Sequence, residues 1–192
     1  RDEQGNFADP NGCTLTLAIR HPETFDFENQ QLEIVRETLM NLTPEQVCIA
    51  EYWNAGPATK QWTPIIDRLI DTYVMTPVRA ARVLAAVQGA INDALNITWY
   101  LKYVYDVPRP NQLDQHLRTI VCTPYWPSYP SGHSVVAGCA EAVLSYFFQP
   151  ESERLRQLAE ECAVSRLYGG VHFPADNSEG LRLGRQIGSV IS

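Results

Sequence analysis

The sequence predicts an all-α fold, a single-domain bundle of roughly seven helices over residues 28–192 behind an irregular N-terminal arm over residues 1–27. Three observations carry this. Apolar residues recur at spacings of three and four through most of the chain. Helix-start signals, Thr-Pro or Ser, precede several of those stretches. Only the short run over 14–19 (Thr14, Leu15, Thr16, Leu17, Ala18, Ile19) alternates as a strand or extended arm would.

Each element has its own reason. The first 27 residues are polar and turn-rich. Leu32, Val35, Leu39 and Leu42 then make a helical stripe over 31–42. Thr43, Pro44 and Gln46 supply a cap, a first-position proline and the return partner of a capping box. That helix runs to about residue 54, where Gly56 and Pro57 stop it. A third helix covers 62–74. Thr76-Pro77 opens the longest, with Val78, Ala81, Leu84, Ala85, Ile91, Leu95, Trp99 and Tyr103 in register. It ends near residue 106, because Pro108 forces its predecessor out of the helical region. Residues 111–123 are mixed and 124–130 form a Pro-rich loop. Ser131 caps a helix reaching residue 148. Another spans 152–168, broken by Gly169-Gly170, and a last one spans 176–190. No internal repeat or low-complexity tract occurs.

Composition narrows the function classes. A chain of 192 residues fits one domain, and 45% hydrophobic content supplies a core, which excludes a largely disordered chain. The net charge of −7 speaks against a nucleic-acid partner gripped through phosphates. It leaves room for a local basic pocket. The longest stretch without Asp, Glu, Lys or Arg, 119–140, carries Pro124, Pro127 and Pro130 and does not read as a membrane span. Cys13, Cys48, Cys122, Cys139 and Cys162 are odd in number and lack CxxC spacing. Free thiols are expected, which leans toward a reducing, cytoplasmic compartment. The start at Arg1 rather than Met is also compatible with a removed signal peptide, so the compartment stays open.

Three blocks carry chemistry. Lys102 and Arg109 bracket the end of the long helix; Pro130-Ser131-Gly132-His133 opens the next; Ser165-Arg166 is followed by His172 and Asp176. Arginine forks match the oxygens of a phosphate-like anion. Ser131 and Gly132 stand at a helix start, where backbone N–H groups bind anions and glycine admits close approach. Lys102, Arg109, Arg166, Ser131 and Gly132 together make a cradle for a tetrahedral oxyanion. His133, beside it, suits a general acid or base. Asp176, at i+4 from His172, can hold one ring nitrogen as N–H and leave the other free to attack or ligate, although Pro174 between them requires a turn or helix start there. Each block alone is unspecific: Lys102 and Arg109 could face water, and His21 and His116 are read as surface or packing residues. Three cations gathered at one site, however, need an anion.

The blocks together resemble the signature shared by type 2 phosphatidic acid phosphatases, bacterial class A acid phosphatases and vanadium-dependent haloperoxidases. The match covers 102–176 and fills every signature position. The resemblance implies a helical bundle in which Lys102, Arg109 and Arg166 bind oxyanion oxygens, helped by Ser131 and Gly132. It implies that His172 attacks phosphorus or ligates vanadium, that His133 is the acid/base, and that Asp176 orients His172. Trp99, one turn before Lys102, and Trp126, just before the PSGH block, are similar to the aromatics beside the halide in haloperoxidases. The tail from His172 to Gly188 looks like soluble bacterial haloperoxidase sequences. Ser134 departs from both branches, and the chain is nearer the small acid phosphatases in length. The reading this favours is a vanadate-binding haloperoxidase that oxidises bromide or iodide with hydrogen peroxide. The alternative is an acid phosphatase that needs no vanadate and cleaves a phosphomonoester through a phosphohistidine. A non-catalytic oxyanion binder is a third class, which would leave His133 without a task.

Overall fold

The computed structural model describes Phe7, Thr14 and residues 16–191. Cys13, Leu15 and part of the alternating 14–19 run lie outside the described residues. No helix among the described residues is long and apolar enough to cross a membrane.

The chain is all-α. A single-turn 3-10 helix, Pro22–Thr24, and a π turn, Phe27–Gln31, lead into α1 (Leu32–Met40). Then come α2 (Pro44–Asn54), α3 (Trp62–Thr72) and the long α4 (Pro77–Tyr105). The short α5 (Pro110–Leu113) falls in the segment the sequence left mixed. Helix α6 spans Gly132–Phe147, α7 Ser152–Tyr168 and α8 Pro174–Ile191. The predicted capping box of α2 is present: Thr43 Oγ1 accepts from Gln46 N–H and Gln46 Oε1 accepts from Thr43 N–H. Helix α8 starts two residues before its predicted start. Pro174 does not interrupt it but takes the opening position, where a missing N–H costs nothing.

Helix α6 is the axis of the core. Val135, Val136, Ala137, Cys139, Ala140, Val143 and Leu144 are all fully buried, and α4, α7 and α8 surround them. Against α8 the approach is backbone to backbone. Gly180, Gly184 and Gly188 recur every four residues on α8 and face Ser131, Val135 and Cys139 of the α6 side. A Cβ on Gly180 would lie 2.9 Å from the Ser131 carbonyl, and one on Gly188 would lie 2.8 Å from that of Cys139. This closeness holds the start of α6 beside the start of α8, where Ser131 N–H donates to the Asp176 carbonyl at 3.0 Å.

The arm straps α8 from outside. The Gln186 amide exchanges hydrogen bonds with the backbone of Ala18 at 2.8 and 2.9 Å. Arg20 donates its backbone N–H and its Nε to the buried Glu179, which also pairs with Arg182. Tyr129 O–H donates to the Arg20 carbonyl at 2.6 Å, and Gln31 Oε1 accepts from Ala175 N–H at 2.8 Å. Cys48 and Cys122 are exposed free thiols; Cys139 and Cys162 are buried free thiols.

Candidate oxyanion site

The site forms where the C-terminal end of α4, the loop before α6 and the turn between α7 and α8 meet. Helix α4 ends on Asp106, in the left-handed region (φ 45°), and the chain turns back through Arg109 into α5. Lys102 and Arg109 then clamp the Pro-rich loop. Lys102 Nζ donates to the carbonyls of Pro127 (2.9 Å) and Ser128 (2.7 Å). Arg109 donates Nε to Trp126 O (2.9 Å), Nη2 to Pro127 O (3.3 Å) and Nη1 to Val171 O (2.6 Å). Both cations are 1% exposed. The bland expectation that they face water does not hold. Much of their donor capacity is spent on carbonyls, so they shape the loop as well as its charge.

Asp176 organises the far side. Its Oδ2 accepts from Ser128 Oγ (2.5 Å), His172 Nδ1 (2.8 Å) and Phe173 N–H (3.0 Å). Because α8 opens at Pro174, Asp176 sits in the first turn and reaches back to both Phe173 and His172. The carboxylate holds His172 Nδ1 as the N–H. Its Nε2 is therefore a lone pair, which accepts from Arg109 Nη1 at 3.0 Å. Burial, with Arg109, Lys102, Arg166 and His133 nearby, pushes the His172 pKa well below 6.5, so the ring is neutral near pH 7.

Arg166, at the C-terminal end of α7, donates Nη2 to Asn54 Oδ1 at 2.9 Å, while its buried Nε and Nη1 have no partner among the described residues. His133 Nε2 is likewise buried and unpartnered. Burial first, then the positive charge of Arg166 and Lys102, depresses His133 to about 3. Desolvation lowers both Arg109 and Arg166 to about 10 and lowers Lys102 well below its usual value. Burial pushes Asp176 up to about 6 against the donors that surround it. A buried guanidinium with idle N–H groups is costly unless an anion meets it. At Gly132 an added Cβ would meet nothing within 4 Å, so the α6 start faces open space with its first N–H groups free of intrahelical partners. Ser131 is the cap that the sequence predicts. Its Oγ accepts from Ser134 N–H and from Ser134 Oγ, so it caps α6 with its hydroxyl oxygen.

The structure thus brings Lys102, Arg109, His133, Arg166, His172 and Asp176 to one region. Trp99 and Trp126 meet edge to face at 5.0 Å, 37% and 40% exposed, outside the buried core. His21 and His116 lie at the surface. Two participants escaped the sequence reading. Ser128 lies two residues before Pro130 and could have been found as the serine nearest the PSGH block. Asn54, 112 residues from Arg166, left no local signal.

The residues that match the PAP2 superfamily model are 79–192, more than half the chain. A bacterial vanadium-dependent iodoperoxidase structure superposes with TM-score 0.78 and 26% identity, covering 92% of this chain and 50% of that one. The transmembrane PAP2-type phosphatidylglycerolphosphate phosphatase of Bacillus subtilis superposes with TM-score 0.62 at 20% identity, over 84% and 82% of the two chains. The vanadium-dependent bromoperoxidase of Corallina pilulifera is 32% identical over 34% of this chain and 15% of its own length. The chain therefore spans about half of the iodoperoxidase and a small part of the curated bromoperoxidase. The matched stretch contains α6, α7, α8 and nearly all of α4, and with the segments between them every cation and imidazole of the cradle from Lys102 to His172; on that ground the chain belongs to the PAP2 superfamily.

Proposed function

We propose that this chain is a vanadium-dependent haloperoxidase that oxidises bromide or iodide with hydrogen peroxide. The observation that carries it is the set of buried groups awaiting a charged guest: idle Arg166 Nε and Nη1, bare His133 Nε2, and open space before Gly132, all beside a neutral His172 with a lone pair on Nε2. Those groups fit vanadate. His172 Nε2 would hold vanadium, Lys102, Arg109 and Arg166 would hold the oxygens, and the N-terminus of α6 would add backbone donors. Bound vanadate supplies the Lewis acidity that activates peroxide toward halide. The protein supplies the rest. Asp176 fixes the His172 tautomer, and the three cations hold negative charge in a water-poor pocket. His133, neutral at pH 7, takes up and returns a proton at Nε2. The balance is halide plus peroxide plus a proton giving hypohalous acid and water. Trp99 and Trp126, half exposed on the α4 side, would line the halide's place. The similarity to the iodoperoxidase and the bromoperoxidase supports this choice within the superfamily.

One observation favours a second reading. A histidine oriented by a carboxylate, with its other nitrogen unprotonated, is also a nucleophile toward phosphorus. The Nε2–P bond would form as the ester P–O bond breaks. The bound phosphate's negative charge would favour the imidazolium form of His133, which would pass its Nε2 proton to the leaving oxygen, take one back from the attacking water and so let that water cleave the phosphohistidine.

Incubation with vanadate, peroxide and bromide or iodide should halogenate a trapping dye, with inhibition by phosphate. Release of nitrophenol from its phosphate ester without vanadate, with no halogenation, would overturn the first reading in favour of the second. Silence in both assays together with measurable oxyanion binding would reduce the protein to a binder.

A further inference from the structure

Helix α2 has no place in the site as the sequence describes it, yet its last turn touches two of the site's working groups. Asn54, the final residue of α2, accepts from Arg166 Nη2 at 2.9 Å. The backbone of Trp53, one residue earlier, lies by the His133 imidazole and favours its protonated form, against the neighbouring cations. Nε2 has no partner, and a proton on Nδ1 directed at that backbone would leave Nε2 bare. Trp53 is itself locked. It is 1% exposed, its Nε1 donates to Glu161 Oε1 of α7 at 2.9 Å, and its ring packs against Trp62.

We infer that the C-terminal end of α2 is the fourth wall of the oxyanion site, with Asn54 as the positioning residue that aims Arg166 without neutralising it. The inference rests on the oxyanion reading of the site, and it adds a charge rule to that reading. A guanidinium in a helix bundle is usually steadied by a carboxylate. Here the partner is an amide, which fixes one edge of the fork and contributes no charge. Nε and Nη1 remain both unbonded and fully cationic toward the guest. Among the described residues, the only carboxylate that touches the cations or imidazoles of the site is Asp176, on the opposite side, bound to His172. A second carboxylate at position 54 would hold Arg166 as well as the amide does, but would compete with the guest for its charge.

Affinity for inorganic phosphate, measured by titration calorimetry on the full chain without vanadate, separates the parts. The wild type should bind phosphate. Asn54→Ala should weaken binding several-fold by freeing Arg166. Asn54→Asp should weaken it by at least about tenfold through charge competition alone, since the hydrogen bond survives. Two readouts guard against a merely structural effect. The thermal midpoint of Asn54→Asp without phosphate should match or exceed that of the wild type, because it gains an ion pair. The His133 ring nitrogen shifts should report an Nδ1–H tautomer in the wild type. Phosphate bound by Asn54→Asp as tightly as by the wild type would overturn the charge rule, and an Nε2–H tautomer at His133 would overturn the part given to Trp53. A wild type that binds no phosphate would instead defeat the oxyanion reading itself.

Discussion

At His172 the two ring nitrogens have been given different neighbours, and that division sets what the residue can do. Asp176 and Ser128 gather at Nδ1, while Arg109 faces Nε2. Asp176→Asn keeps the volume but presents an amide that can orient its N–H toward Nδ1. It should lower turnover by roughly a hundredfold or more through the wrong tautomer, with little change in fold. Steady-state kinetics together with circular dichroism check this. His172→Ala should abolish activity; unchanged turnover would remove His172 from its assigned part. Trp99→Ala should reduce halide oxidation more than any ester hydrolysis, and equal losses would make the Trp99–Trp126 pair simple packing. At this scale the sequence was informative about which residues matter and poor about their second partners. Spacing brought out Lys102, Arg109 and Arg166, but not that two of them would spend most of their N–H groups on the carbonyls of Trp126, Pro127, Ser128 and Val171. Such bonds depend on how a loop is laid, and any side chain can offer a carbonyl.

At the scale of elements, the joint between α6 and α8 is the critical one. Gly184 has no room for a side chain, because the backbone of Val135 and Cys139 lies against it. Gly184→Ala must push the two helices apart, and overpacking of this kind costs about 1–3 kcal/mol. Urea unfolding should show that loss. Phosphate affinity should fall with it, because the same joint sets Ser131 beside Asp176. A variant as stable as the wild type would mean that α8 can slide without penalty. Most helix limits were legible, since caps and prolines are local chemistry: Thr43 before Pro44, Ser131 before Gly132. The start of α8 was not. Pro174 reads equally as a breaker or as an opener, and the structure makes it the opener.

For the whole molecule, the buried charges make stability depend on pH in a direction that can be worked out. His133, at about 3 in the fold against 6.5, and His172, also lowered, bind fewer protons folded than unfolded. Each therefore withdraws stability as pH falls below 6.5. Asp176, at about 6 against 3.8, takes its proton earlier in the fold and returns stability over the range from 6 to about 4. Two histidines outweigh one carboxylate, so stability should fall as the pH drops from 6 to 4. Urea titrations across that range measure it. Saturating phosphate should flatten the slope, since an anion favours both imidazolium forms; a slope of opposite sign would contradict the burial of the two rings. None of this was legible in the net charge of −7, which averages an acidic exterior with a cationic centre.

The strap across α8 has a practical consequence. Arg20 is a trypsin target whose side chain is held by Glu179, while its carbonyl takes the hydroxyl of Tyr129, two residues ahead of Ser131. Cleavage of the Arg20–His21 bond requires that peptide to lift away from both. Its rate of digestion is therefore an external gauge of how firmly the PSGH loop is seated, readable on a gel without any substrate, and it should slow when an oxyanion is added.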